Sequence, residues 1–124
     1  MKKIYEDEEI LIVDTGDYAK AFPVRIFYER IEMTATLYSY SGDGNVSIVG
    51  GALPHHIEKL ARTKILIYAY KSGFLNDRIK KLEDYKKRYP EPLESIGLDI
   101  INRDIKCTED LIVKIKKDYL QEVS

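Results

Sequence analysis

The spacing of apolar residues changes near the middle of the chain, and this change constrains the fold more than any other feature. Before Gly50-Gly51, runs rich in β-branched and aromatic residues alternate with turn formers, which predicts strands. After this pair, apolar residues recur every three or four positions, which predicts helices. We therefore expect an α+β fold, with an antiparallel β-sheet of about four strands followed by about three helices packed on it.

The predicted strands have clear boundaries. They cover Ile10–Val13, Val24–Tyr28, Met33–Tyr40 and Val46–Val49. Residues 15–17 form a turn after the first strand, Arg30-Ile31 links the second to the third, and residues 41–45 link the third to the fourth. Short links of this kind favour pairing between successive strands, and so an antiparallel meander.

The first predicted helix opens at Pro54, which suits a first helical position, and Gly73 offers a left-handed cap with Phe74 as its apolar partner. Its apolar positions are Ile57, Leu60, Ala61, Ile65 and Ala69. Residues 64–70 are also rich in β-branched and aromatic side chains, so a buried strand stays open there, although we favour the helix.

Two further helices are predicted after Gly73. Asn76 or Asp77 caps the second, and Pro90-Glu91-Pro92 ends it, which makes a helical hairpin with the first. Thr108, followed by two acids, caps the last helix. Residues 93–105 remain undecided between a short strand and an irregular turn.

Length and composition limit the class of protein. A chain of 124 residues fits one domain, which we expect to be a single ligand-binding domain over residues 1–124. The one cysteine cannot form an internal disulfide, and acidic residues follow Met1-Lys2-Lys3 where a secretory signal would need an apolar run. No run is long enough to cross a bilayer. We expect a cytoplasmic protein that does not enter membranes.

Charge is distributed unevenly along the chain. Residues 1–17 carry six acids and two lysines, whereas residues 58–89 carry ten bases and four acids. The basic central segment is the expected source of any surface that attracts anions. Since the chain as a whole has a net charge of −1, we do not expect it to bind DNA or RNA.

The glycine pair is the most suggestive local motif. Gly50-Gly51 precedes a helix start and then His55 and His56, and free backbone N–H groups at such a terminus suit a phosphate or carboxylate. Adjacent histidines do not form the pair of ligands, four residues apart, that chelates a metal on a helix. No local signature marks a nucleophile with its base. We expect no enzyme activity, no metal and no cofactor.

Aromatic residues exceed what a small core needs, with ten tyrosines and three phenylalanines. Tyrosine stacks on bases and donates hydrogen bonds, so clusters of it near arginine hold nucleotides. The candidate ligand-binding residues are Arg25, Gly50, Gly51, His55, Tyr70, Phe74, Asn76, Arg78 and Arg103.

The layout resembles the phage Thoeris anti-defence family of nucleotide sponges. The resemblance rests on Ala21–Arg25, Gly50–Leu53 and Tyr68–Leu75, and it spans roughly the first 80 residues. It implies a homo-oligomer in the host cytoplasm that captures cyclic ADP-ribose isomers, and other cyclic nucleotides as well, without cleaving them. The family's arginine pair for the phosphates has no clear counterpart, since the last helix carries lysines at 114, 116 and 117. Arg25, Arg78 and Arg103 are possible substitutes.

Two other functions fit the same residues. A protein-binding inhibitor or immunity protein would use the acidic first seventeen residues or the basic hairpin as a patch complementary to its partner. A small phosphodiesterase or nuclease would need His55 or His56 as its acid or base.

Overall fold

The computed structural model describes residues 2–16, 24–38, 45–88 and 95–120. Contacts divide the chain into two compact units, which we call the sheet unit (Met1–Tyr38 and Asn45–Tyr68) and the helical unit (Ser39–Gly44 and Ala69–Ser124). Each is described by itself. The expectation of one domain over residues 1–124 therefore stays a prediction.

In the part of the chain that the structure describes, five strands form one antiparallel sheet in the order β1-β2-β3-β4-β5, which confirms the α+β class with one strand more than expected. The strands are β1 (Lys2–Glu6), β2 (Ile10–Asp14), β3 (Val24–Tyr28), β4 (Ile31–Tyr38) and β5 (Asn45–Val49). β1 was not predicted because it is mostly charged and buries none of its side chains. The predicted residues 39–40 of the third strand and the turn residues 41–44 lie outside the described residues.

The link between β3 and β4 is shifted from its predicted place. Ile31 is already the first residue of β4, and the turn residues are Glu29 and Arg30. Glu29 adopts a left-handed conformation with φ of 55°, which a two-residue hairpin turn commonly requires.

The first helix, α1 (His55–Lys71), packs on one face of the sheet through its residues in the sheet unit. Ile57, Ala61 and Ile65 form a stripe at four-residue spacing and are at most 3% exposed. They meet the strand residues that alternate inward, including Ile12, Ile26, Met33 and Ala35, which are fully buried. Lys64 to Tyr70 is therefore helix, as favoured from the sequence. The helix begins one residue after Pro54, whose carbonyl accepts from Ile57 and Glu58.

Two side-chain hydrogen bonds join α1 to the sheet. The hydroxyl of Tyr68 donates to the carboxylate of Asp14, which is only 7% exposed and also accepts from the amide of Gly16 at 2.8 Å. Near the other edge of the sheet, the guanidinium of Arg62 donates to the carbonyl of Val46 on β5. Glu58 holds the same guanidinium at 2.7 Å. These bonds attach α1 to β2, next to one edge of the sheet, and to β5 at the other edge.

The helical unit contains the end of α1 and two further helices, α2 (Phe74–Arg88) and α3 (Ser95–Asp118), which pack against each other. Gly73, with φ of 85°, ends α1 as predicted. The predicted cap at Asn76 or Asp77 is wrong, because α2 starts at once and the amide of Asp77 already donates to the carbonyl of Gly73. The predicted stop at residues 90–92 lies outside the described residues.

The predicted start of the last helix is also wrong. Thr108 is fully buried in the middle of α3, and its hydroxyl donates to the carbonyl of Asp104 at 2.7 Å. This bond within the helix satisfies the hydroxyl, so the residue has no need to cap an end. Ile105, Thr108, Leu111 and Ile115 continue one buried stripe. The undecided segment is helical from Ser95 onward.

No helix in the described part of the chain is long and apolar enough to cross a bilayer. Packing of α2 and α3 on the sheet stays a prediction, because those helices belong to the other unit.

We expect Tyr68→Phe to lower the free energy of unfolding by about 1–3 kcal/mol, since it removes a partner from the buried carboxylate of Asp14. Urea denaturation at neutral pH measures this change. Tyr5→Phe is the matched control, because the hydroxyl of Tyr5 donates to an exposed carboxylate, that of Asp7. An equal decrease in the free energy of unfolding in the two variants would contradict the view that the burial of Asp14 makes its hydrogen bond more stabilising.

Candidate functional site

The predicted ligand-binding residues divide between the two units. Four of them, Arg25, Gly50, Gly51 and His55, belong to the sheet unit, and the other five, Tyr70, Phe74, Asn76, Arg78 and Arg103, belong to the helical unit. The candidate residues thus form two sets, each within its own unit.

Arg25 lies on β3 with its side chain only 12% exposed. One guanidinium nitrogen donates to the carbonyl of the neighbouring Val24 at 3.1 Å. Its Nε lies 4.0 Å from the carboxylate of Glu32, whose side chain is 59% exposed. This pair is at the limit of ion pairing, so the guanidinium keeps hydrogen-bonding capacity for another acceptor.

The surroundings of Arg25 follow from strand alternation. Along β3, Arg25 and Phe27 alternate with Val24 and Ile26, which form the core with their partners on β4. Arg25 and Phe27 therefore lie on the sheet face opposite to the one that α1 covers. Register places Arg25 directly across from Thr34, and Thr36 across from Ser47. We call this surface the Arg25 face; it contains Arg25, Phe27, Glu32, Thr34, Thr36 and Ser47, with the buried Val13 across from Arg25 and Leu11 across from Phe27 on β2. It combines a guanidinium, an aromatic ring and three hydroxyls.

Packing against β4 explains the glycine pair. A side chain at Gly51 would place its Cβ 3.0 Å from Cγ2 of Ile31 and 3.2 Å from the sulfur of Met33. Gly50 has φ of 109°, which other residues rarely adopt, and its Cβ would come 3.3 Å from the carbonyl oxygen of Glu32. Close contact between chain segments therefore requires both glycines. An anion site at this junction stays a prediction, and His55 is exposed at the start of α1.

In the helical unit, Tyr70 has a cationic neighbour. The ammonium of Lys116 on α3 lies 5.5 Å from the centre of its ring, a cation–π contact between half-buried residues. Phe74 and Arg78 are four residues apart on α2 and so share one face of that helix. Asn76 and Arg103 are exposed. An aromatic residue and a cation are thus in contact here, but the cation is Lys116, which was not among the predicted ligand-binding residues.

Sequence reasoning missed a cluster of lysines and tyrosines between β1 and α1. The ammonium of Lys64 lies 5.0 Å from the ring centre of Tyr5, and that of Lys2 lies 5.7 Å from the ring centre of Tyr68. Lys64 and Tyr68 are one helical turn apart. Lys2 and Tyr5 would face opposite sides of a regular strand, but a bulge between Lys3 and Tyr5 turns both toward α1. A bulge in an unpredicted strand leaves no signal in the sequence.

Asp7 organises the link between β1 and β2. Its carboxylate accepts from the amides of Glu9 and Ile10 at 2.8 and 2.9 Å, and from the hydroxyl of Tyr5 at 2.7 Å. The hydrogen bond from Tyr5, followed by the two amides, lowers the pKa of Asp7 below the ordinary 3.8. The same hydrogen bond raises the pKa of Tyr5, because it favours the protonated phenol.

This end of the sheet forms an acidic hollow. The hollow is shallow and open, has a volume of about 470 Å³, and is lined by Asp7, Glu8, Glu9, Ile10, Leu11, Phe27, Tyr28 and Glu29. Four carboxylates and two aromatic rings therefore share one concave surface. Within the described ranges, no three His, Cys, Asp or Glu residues are grouped so that they could hold a metal ion.

Comparison of the chain with protein-family models, with curated proteins and with solved structures gives no match.

We expect the carboxyl of Asp7 to titrate below 3.8 in the folded protein. A carboxylate with a depressed pKa stabilises the fold above its unfolded pKa, and this contribution is lost as the pH falls through the folded value. Carboxyl chemical shifts followed by NMR from pH 6 to 2 measure the midpoint. Tyr5→Phe should raise the midpoint, because it removes the first of these hydrogen bonds. An unchanged midpoint in that variant would contradict the assigned cause.

Proposed function

We propose that the protein is a non-enzymatic binding protein that sequesters a cyclic nucleotide, and that the Arg25 face holds the ligand. The observation that carries this proposal is the side chain of Arg25, which is only 12% exposed, lies directly across from Thr34 in the sheet register and is two residues from an aromatic ring. Following the resemblance to the phage Thoeris anti-defence sponges, the ligand is a cyclic ADP-ribose isomer, with other cyclic nucleotides as related candidates.

The chemistry of this face suits a phosphate. Arginine presents a planar fork that binds two phosphate oxygens together, and its charge is retained at any physiological pH. Threonine and serine hydroxyls donate further hydrogen bonds to phosphate or ribose. The ring of Phe27 offers an apolar surface for the base. Because Glu32 holds Arg25 only at 4.0 Å, a phosphate competes with this carboxylate at little cost.

Sequestration requires binding only, so the ligand leaves the protein chemically unchanged. A sheet face contacts one side of a molecule of dinucleotide size, whereas tight sites enclose most of their ligand. We therefore propose that a second copy of the chain covers the ligand, which makes the active form a homo-oligomer. The proposed setting is the cytoplasm of the host cell, where such signals are made.

We expect Arg25→Lys to weaken binding of a cyclic ADP-ribose isomer roughly 10- to 100-fold, because a point charge replaces the bidentate fork. Glu32→Gln should strengthen binding about 2- to 5-fold, because it removes a carboxylate that repels phosphate. Isothermal titration calorimetry measures both changes, and the ligand recovered after heat denaturation should be intact.

Glu58→Gln is the matched control for Glu32→Gln, since it removes a carboxylate of the same unit that lies on α1, which covers the opposite face of the sheet. Its affinity should equal that of the unmodified chain. Recovery of a hydrolysed nucleotide would refute the non-enzymatic role. Unchanged affinity in Arg25→Lys would refute the site.

The acidic hollow favours a second candidate function, a protein-binding inhibitor or immunity protein. Four carboxylates beside Phe27 and Tyr28 offer charge together with apolar contact, the combination that a basic side chain of a partner protein needs. A concave acidic surface accelerates association with such a partner through long-range attraction.

For this second function, we expect a stoichiometric host protein to remain bound to the chain through size-exclusion chromatography. Glu9→Lys, which reverses charge inside the hollow, should release it, whereas Glu83→Lys on the exposed surface of α2 should not. Native mass spectrometry reports the stoichiometry. Equal retention by both variants would exclude the hollow as the docking surface.

A further inference from the structure

Arg78 is held on α2 in an unusual environment. Leu75, Arg78, Ile79 and Leu82 form the stripe of α2 that is buried or half-buried, at helical spacing. Charged residues in the rest of α2 are mostly exposed, as expected for a helix that packs on one side. Arg78 therefore occupies a position where an apolar residue would ordinarily pack.

The guanidinium of Arg78 has an unsatisfied donor. Its Nε is buried and has no hydrogen-bond partner. Among the side chains that the structure describes, it is the one buried nitrogen or oxygen atom in this condition. Buried donors are nearly always paired, because an unpaired one loses its bonds to water and gains none in return. An apolar side chain of similar length would avoid this cost. Packing alone therefore does not account for an arginine at this position.

The described side-chain hydrogen bonds and ion pairs of α2 and α3 do not include Arg78. On α2, the carboxylate of Asp77 lies 3.0 Å from the ammonium of Lys81. Lys86 binds Asn102, and Lys116 contacts Tyr70, so α3 runs antiparallel to the stretch that contains Arg78. This direction puts Arg78 level with the middle of α3, near Thr108 to Leu111. There the hydroxyl of Thr108 is already bonded to its own helix, and Glu109 is exposed.

The charge of α2 favours an anion from outside. The helix carries six basic and three acidic residues, and Lys114 and Lys116 on α3 are half-buried. A doubly charged phosphate gains more from this surplus than a single carboxylate does. Phe74, one turn before Arg78 on the same face, adds an aromatic ring beside the guanidinium.

We propose that Arg78 is the recognition residue of a phosphate-binding site in the helical unit, separate from the Arg25 face. The half-exposed side chain turns outward when the ligand arrives, and the edge formed by Nε and one Nη donates to two oxygens of a phosphate or diphosphate. Binding thereby satisfies the donor that is unpaired in the free protein. This site goes beyond the proposed function and does not depend on Arg25.

Inorganic pyrophosphate is the probe, titrated calorimetrically into the full chain and into single variants. Arg78→Lys should weaken its binding at least about tenfold, since lysine keeps the charge but lacks the fork. Arg103→Lys is the matched control, because Arg103 is an exposed arginine of the same unit, and it should bind within about twofold of the unmodified chain. Repeating the Arg78→Lys comparison in an Arg25→Lys background separates this site from the Arg25 face, because the tenfold loss should persist there.

Thermal unfolding without pyrophosphate provides an independent test. Arg78→Met should raise the melting temperature by about 3–6 °C, because a flexible apolar side chain replaces an unsatisfied donor. A ligand-independent packing role predicts a lower melting temperature instead. Absence of pyrophosphate binding by the unmodified chain, full binding by Arg78→Lys, or a lower melting temperature for Arg78→Met would each overturn the proposal.

Discussion

Attachment of α1 to one face of the sheet is the interaction on which the rest of the sheet unit depends. The buried stripe of Ile57, Ala61 and Ile65 covers the inward residues of the strands, and Tyr68 reaches the carboxylate of Asp14 at the far end of β2. A sheet has two faces, and α1 covers one of them. The strand residues that alternate with the buried ones therefore lie on the other face. Arg25 is directed to that second face by alternation alone.

A guanidinium in the middle of a sheet face loses part of its hydration, and only a favourable contact with another group compensates for the free energy of that loss. The side chain of Arg25 is only 12% exposed and Nε of Arg78 is buried without a partner, and neither arginine has a close bidentate carboxylate partner among the described residues. The two arginines lie in different units. The protein thus maintains two cationic groups in positions where packing alone would favour apolar side chains.

Much of the fold was predictable, because strand and helix leave different spacings of apolar residues. Ile10–Val13 and Val24–Tyr28 are strands within one residue of the predicted bounds, and Gly73 ends α1 as expected. β1 could not be predicted, since its pairing with β2 depends on a bulge and on contacts with α1. Thr108 is a residue type that often caps helices, but it is fully buried in the middle of α3. The burial of one residue depends on the folded chain and could not be predicted from the local sequence. For the candidate site, residue types were predictable and their grouping was not: Lys116 beside Tyr70 joins residues 46 positions apart.

The bond from Arg62 to the carbonyl of Val46 has a consequence for how the protein behaves at high concentration. β5 is an outer strand of the meander, and outer strands offer unpaired backbone groups to any extended chain nearby. A bulky charged side chain seated on one of those carbonyls hinders such an approach, and its Glu58 partner keeps it in position. On the opposite side, lysines and a bulge make β1 equally poor as a template for a foreign strand. Both margins of the sheet thus carry features that disfavour pairing with another strand.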